Sequence, residues 1–238
     1  MPENATLTHA GLKTPKAAAI AGIAFSLLIF AILGLLRRSI PDDPLEAGAW
    51  LASDTRTIAV ALNLVPFAGV AFLWFIGVLR DRLGQLEDRF FATVFFGSAL
   101  LFLAMLFAAA AVIGAIVLVA TISAPHELTN STTFRFARAT SYIIANVYAI
   151  KMAAVFMIST STVVIRTGIA PRWIAFLGFL LALILLMGSF FISWSFAILP
   201  FWVFLISVYI LIDNLGKSSK ANGSCRLKRS ATTISIAR

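Results

Sequence analysis

The sequence predicts an all-α fold: a polytopic transmembrane helical bundle of six spans, with N- and C-termini cytoplasmic. Three observations predict it. First, the chain is 61% hydrophobic and only 12% charged, whereas a soluble domain is about half apolar and about a quarter charged. Second, the apolar residues gather in six runs, 17–36, 57–79, 90–121, 139–165, 171–192 and 195–213. A helix crosses the hydrocarbon layer in about 20 residues. Third, the basic residues fall unequally between the alternate loops, as the positive-inside rule requires.

The elements follow in order. Residues 1–16 form a cytoplasmic segment that contributes Lys13 and Lys16. The first run has basic residues before it, and Ala47-Gly48-Ala49 after it resembles a cleavage site. The run is longer than a signal-peptide core and Arg37-Arg38 intervene, so it reads as an uncleaved helix. Pro41-Asp42-Asp43-Pro44-Leu45-Glu46 allows a capped helix with Asp43 at the N-cap and Pro44 at the first position, or a plain polar turn. In the second run, Pro66 removes one helix hydrogen bond close to Asn63 and exposes backbone near position 62.

The charged stretch from Arg80 to Arg89 separates runs two and three. Run three has 32 residues and is expected to tilt or to project beyond the bilayer. The next loop carries a glycosylation-like triplet, Asn130-Ser131-Thr132, and the alternation Phe134, Arg135, Phe136, Arg138. The alternation reads either as a headgroup contact or as the frayed start of run four. Runs five and six are parted only by Ile192-Ser193-Trp194-Ser195, a tight hairpin. A fused single crossing would be far too long. Residues 214–238 form a basic tail, expected to be disordered and to meet anionic headgroups. Ala17 with Ala21, Ala18 with Gly22 and Ala110 with Gly114 have the spacing that lets helix backbones approach.

Orientation comes from counting charges. Lys13, Lys16, Arg80, Arg82, Arg89, Arg166, Arg172 and six basic residues of the tail lie on one side, thirteen in all. Arg37, Arg38, Arg56, Arg135 and Arg138 lie on the other. The richer side is the cytoplasm, and the expected location is the inner (plasma) membrane, multi-pass. A pI near 10.5 suggests nucleic acid at first sight, but basic residues placed in short loops act as topology signals, and no nucleic-acid partner is expected.

Site chemistry is sparse. One cysteine, Cys225, and two distant histidines, His9 and His126, offer no zinc constellation. No cofactor is expected. There is no Ser-His-Asp set, no H-E-x-x-H, no phosphate loop and no carboxylate pair within a run, so the reading leans away from an enzyme. The anomaly is Lys151, within run four, where a central lysine costs about 2.5–3.5 kcal/mol on insertion scales. On a regular helical wheel Ile144, Tyr148, Val155 and Thr162 share its face, while Tyr142, Asn146 and Thr160 lie opposite. Polar groups on both faces imply a helix surrounded by protein. Lys151, Tyr148, Asn146 and Asn63 are therefore the candidate intramembrane polar site. The amine is either an anion, substrate or proton contact, or a structural donor to backbone carbonyls, Tyr148 or water.

Two resemblances follow. Gly77-x-x-x-Asp81-Arg82-x-Gly84 resembles the loop-two signature of major facilitator transporters, which implies gate-stabilising roles for Asp81 and Arg82. Gln85 and Leu86 stand where that signature has a basic pair, and the chain has half the usual number of spans. Asn63-Leu64-Val65-Pro66-Phe67, Phe72 to Gly77, the Arg80–Arg89 stretch and Arg166 to Trp173 together resemble uncharacterised six-span bacterial membrane proteins, particularly actinobacterial ones. That resemblance implies a helical bundle without an assigned activity. The leading expectation is a non-catalytic membrane subunit or interaction protein, with membrane-protein partners or a homo-oligomer. A small transporter or channel with a cavity at Lys151 comes second, and an intramembrane enzyme third.

Overall fold

The computed structural model describes residues 14–40, 54–83, 89–122, 129, 131–168, 170–188 and 194–213. Its elements are α1 (Thr14–Ser39), α2 (Thr55–Leu83), α3 (Arg89–Ala120), α4 (Thr132–Ile143), a π-helical segment (Ile144–Ala149), α5 (Ile150–Thr167), α6 (Arg172–Gly188) and α7 (Ser195–Asp213). No strand occurs among the described residues. Five helical stretches are long and apolar enough to cross a membrane, with α4, the π segment and α5 forming one of them. These make the protein a multi-pass, all-helical membrane protein.

The fifth expected run, 171–192, is represented among the described residues by α6, an apolar helix described over 17 residues. Residues 189–193 lie outside the described residues, as do the acidic loop around Asp43, the turn at 84–88 and the tail.

Helices overrun the apolar runs because polar flanks continue the winding. α2 extends through Asp81 and Arg82 to Leu83, and α3 starts at Arg89, so both ends of the expected charged loop are helix. The Arg80 guanidinium lies 5.1 Å from the centre of the Phe96 ring, which ties α2 to α3 across this hairpin. Run four starts at Thr132 instead of 139. Ser131 is the N-cap and its side chain accepts from the Phe134 N–H at 3.1 Å. Phe134 and Arg138, one turn apart, face inward and are buried, whereas Arg135 and Phe136 are exposed. The aromatic-basic alternation is thus the first two turns of a capped helix. α5 ends at Gly168, whose positive φ of 66° lets its N–H close on Val164 O at 3.0 Å.

α5 occupies the centre of the bundle. From Ala149 to Val164 no residue is exposed. α1 packs chiefly on α2, while α5 packs on α6 and α3. The middle is filled by phenylalanines. The Phe72 ring lies 4.6 Å from Phe25, 5.5 Å from Phe102 and 5.2 Å from Phe156, and Phe156 lies 5.2 Å from Phe95. These rings bring four helices together by dispersion, the main attraction left when lipid is as apolar as the core. A smaller cluster at one end joins Ile58, Ile113, Ile116 and Phe134.

α7 enters through small residues. A side chain at Gly22 of α1 would meet Ser207 Oγ and, at 2.8 Å, Phe75. A side chain at Gly178 of α6 would meet Ser161 Oγ and, at 2.7 Å, Trp202. Trp202 is fully buried and donates its indole N–H to Ile174 O at 3.2 Å.

Candidate functional site

Lys151 opens α5 immediately after the π segment. Its amine donates to Leu186 O of α6 at 2.8 Å. Leu186 lies close to Gly188, the last described residue of α6. In a low-dielectric layer an amine without a hydrogen-bond partner is costly. The bond gives the Lys151 amine a backbone acceptor and ties α5 to α6.

The depth of Lys151 is also set by this pairing. Lys151 is 15 residues from Arg166, or about 22 Å along the helix. If Arg166 stands at one boundary, the amine lies in the far third of the hydrocarbon layer, not at its middle.

The other candidates do not gather around it. Tyr148 is 56% exposed on the outer surface. Asn146 donates to Tyr142 O at 3.1 Å, within its own helical column. Asn63, on the exposed face of α2, donates to Ala59 O at 2.8 Å, not to the Leu62 carbonyl that Pro66 leaves without its helical donor. Lys151, Asn146 and Asn63 each bond to a different backbone carbonyl, and no hydrogen bond joins them to one another or to Tyr148 among the described residues. Asp81 and Arg82 lie in the last turn of α2, and their side chains are outside the described residues.

The wheel that put Tyr148 beside Lys151 assumed a regular α-helix. Residues 144–149 wind as a π-helix instead, with more residues per turn, so the phase slips between Asn146 and Lys151. The inference that run four is enclosed by protein holds from Ala149 to Val164 and fails at Ile143, Tyr148 and Ile165, which are exposed.

Sequence reasoning missed two polar features. Arg138, counted with the outer loop, is 5% exposed on α4 and engaged within the fold. Nearby, Ser141 donates to Ala109 O of α3 at 3.1 Å. The second feature is the run Ser159-Thr160-Ser161-Thr162 in the C-terminal half of α5. Ser159, Thr160 and Thr162 donate back to carbonyls one turn earlier, at 3.0, 2.8 and 3.0 Å. Ser161 Oγ, with Ser195 Oγ and Ser207 Oγ, has no hydrogen-bond partner among the described residues. The Ser131 cap was the one signal in the sequence that could have turned Arg138 inward, since it starts the helix early enough to put Phe134 and Arg138 on one face.

No three His, Cys, Asp or Glu side chains come together among the described residues. The chain matches no protein-family model, no curated protein and no solved structure. Its class therefore rests on its own helices, which are those of a multi-pass membrane protein.

Proposed function

We propose that the protein is a six-span, non-catalytic integral membrane protein of the bacterial inner membrane, with both termini cytoplasmic, acting as a subunit or scaffold for other membrane proteins. The observation that carries this reading is the filled centre. Phenylalanines occupy the place where a transporter needs a wet path, and Lys151, Asn146, Asn63, Ser159, Thr160 and Thr162 bond to separate backbone carbonyls instead of converging.

Two further features support it. α6 runs antiparallel between α5 and α7, with Lys151 bonded to Leu186 at one end and Trp202 bonded to Ile174 at the other. A helix sandwiched between two crossing helices crosses with them, which supports six spans. On the outer surface, Trp173, Phe176, Leu180, Leu183 and Met187 of α6 form an exposed apolar stripe at alternating three- and four-residue spacing, the spacing that interlocks with a partner helix.

Affinity purification in mild detergent, with identification of co-purifying proteins, tests the reading. Stoichiometric membrane-protein companions or a stable homo-oligomer are expected. A clean monomer without companions would sink it.

A further inference from the structure

A cleft of about 720 Å³ opens between α1 and the α6–α7 pair, at the end of the bundle where α1 finishes and α7 begins. Its walls are apolar: Phe30 and Leu33 from α1, Leu181 from α6, Ile198 and Phe201 from α7. At its mouth stand Arg37 and Arg38. The Arg37 guanidinium is held 4.1 Å from the centre of the Trp194 ring.

The order of these groups along the helix axis is informative. Phe30 and Arg37 are seven residues apart, about 10 Å along α1. The cleft thus runs from two cationic groups and a tryptophan into a purely apolar slot. Trp sits at the level of lipid headgroups on either side of a membrane, Arg side chains reach that level by snorkelling, and guanidiniums pair with phosphate. A soluble anion would use the arginines and leave the slot empty. A hydrocarbon chain alone would gain nothing from two guanidiniums. An anionic phospholipid uses both parts, with its phosphate at Arg37 and Arg38 and an acyl chain between Phe30, Leu33 and Phe201.

The slot is open at its floor because residue 34 is glycine. A Cβ built at Gly34 meets nothing within 4 Å, in contrast to Gly22 and Gly178, where helices are in contact. The glycine there serves no helix contact among the described residues.

We propose that this cleft is a binding site for one anionic phospholipid of the surrounding bilayer. The site is independent of the subunit role proposed above and requires only that the chain lies in a membrane.

The test uses the full chain in nanodiscs of equal phosphatidylglycerol and phosphatidylcholine, released for native mass spectrometry. The wild-type protein should retain one phosphatidylglycerol in preference to phosphatidylcholine. Arg37→Gln with Arg38→Gln should cut that retention about tenfold or more, since each basic group near a headgroup contributes on the scale of one such interaction. Gly34→Leu should cut it similarly while leaving every charge in place. This variant separates the cleft from attraction to the basic tail, and the open space around Gly34 makes it the safer fold.

Equal retention of the two lipids by the wild type would overturn the proposal. So would unchanged retention in both variants, or displacement of the lipid by millimolar inorganic phosphate, which would mark a soluble-anion site. Selectivity that emerges only after Asp42→Asn, Asp43→Asn and Glu46→Gln would show that the chain's own acidic loop occupies the mouth, and would overturn it too.

Discussion

At the scale of single residues, Lys151 shows how much a membrane chain reveals about its polar groups. A lysine in an apolar run is conspicuous by composition, and its cost demands a partner. The partner is a carbonyl 35 residues away, and nothing in the residue type of Leu186 announces it. Lys151→Met removes the donor and breaks this bond between α5 and α6. We expect a loss of about 1.5–3 kcal/mol, the range for a hydrogen bond to a charged group. Thermal unfolding in detergent measures it, and Lys151→Arg should recover most of the loss. Unchanged stability in the Met variant would show that the bond contributes nothing.

The glycines make a complementary case. Gly178→Val drives a side chain into Ser161 and the rigid Trp202 ring, and should cost about 1–3 kcal/mol by overpacking. Gly97→Ala, where a Cβ meets nothing within 4 Å, should be neutral or stabilising by up to about 1 kcal/mol through helix propensity. The same melting experiment ranks both, and the reverse order would refute the packing described here. Small-residue spacing in the sequence picked out Gly22, which does lie at a contact, but could not say that Ser207 and Phe75 are what it meets.

At the scale of elements, the π segment decides which side chains of run four face inward. α4 needs Phe134 and Ser141 turned toward α3, while α5 needs Lys151 turned toward α6. The wider winding at Ile144–Ala149 reconciles the two. Deleting Val147 should restore regular winding without turning α4 relative to α5, since six residues of π-helix sweep about the same angle as five of α-helix. Ser141 then stays on Ala109 O. Ser141→Ala should therefore cost as much in the deletion variant as in the intact chain. A Ser141→Ala change that costs nothing once Val147 is deleted would argue against the rephasing. Hydropathy located this helix, but a residue-by-residue wheel was misled because i→i+5 bonding has no compositional signature in an apolar stretch. The start of α4 was more legible, since Ser131 is an ordinary N-cap residue, yet the apolar run begins seven residues later and masked it.

At the scale of the whole molecule, the proposed six crossings return both ends of the chain to one side. Cys225 is the only cysteine, so the native protein carries its own probe. A membrane-impermeant maleimide should label Cys225 only after cells are permeabilised, and Thr8→Cys in a Cys225→Ser background should behave identically. Labelling of either site in intact cells would exclude the arrangement. Five crossings would place the two sites on opposite sides.

What the sequence by itself determined was the all-helical class, the positions of the long apolar helices and the presence of a lysine within one of them. These follow from hydropathy and composition, which are sums over neighbours along the chain. What only the tertiary structure decided was that α5 is the central helix, that Arg138 turns inward, that Lys151 bonds to Leu186 of α6 and that Arg37, Arg38 and Trp194 stand over one cleft. The physical reason lies in the solvent. In water a helix declares its buried face by a polar stripe opposite. In lipid both faces are apolar, so helix rotation and depth are set by close packing and by polar groups finding donors or acceptors on other helices, and these pairings leave no local trace in the order of the residues.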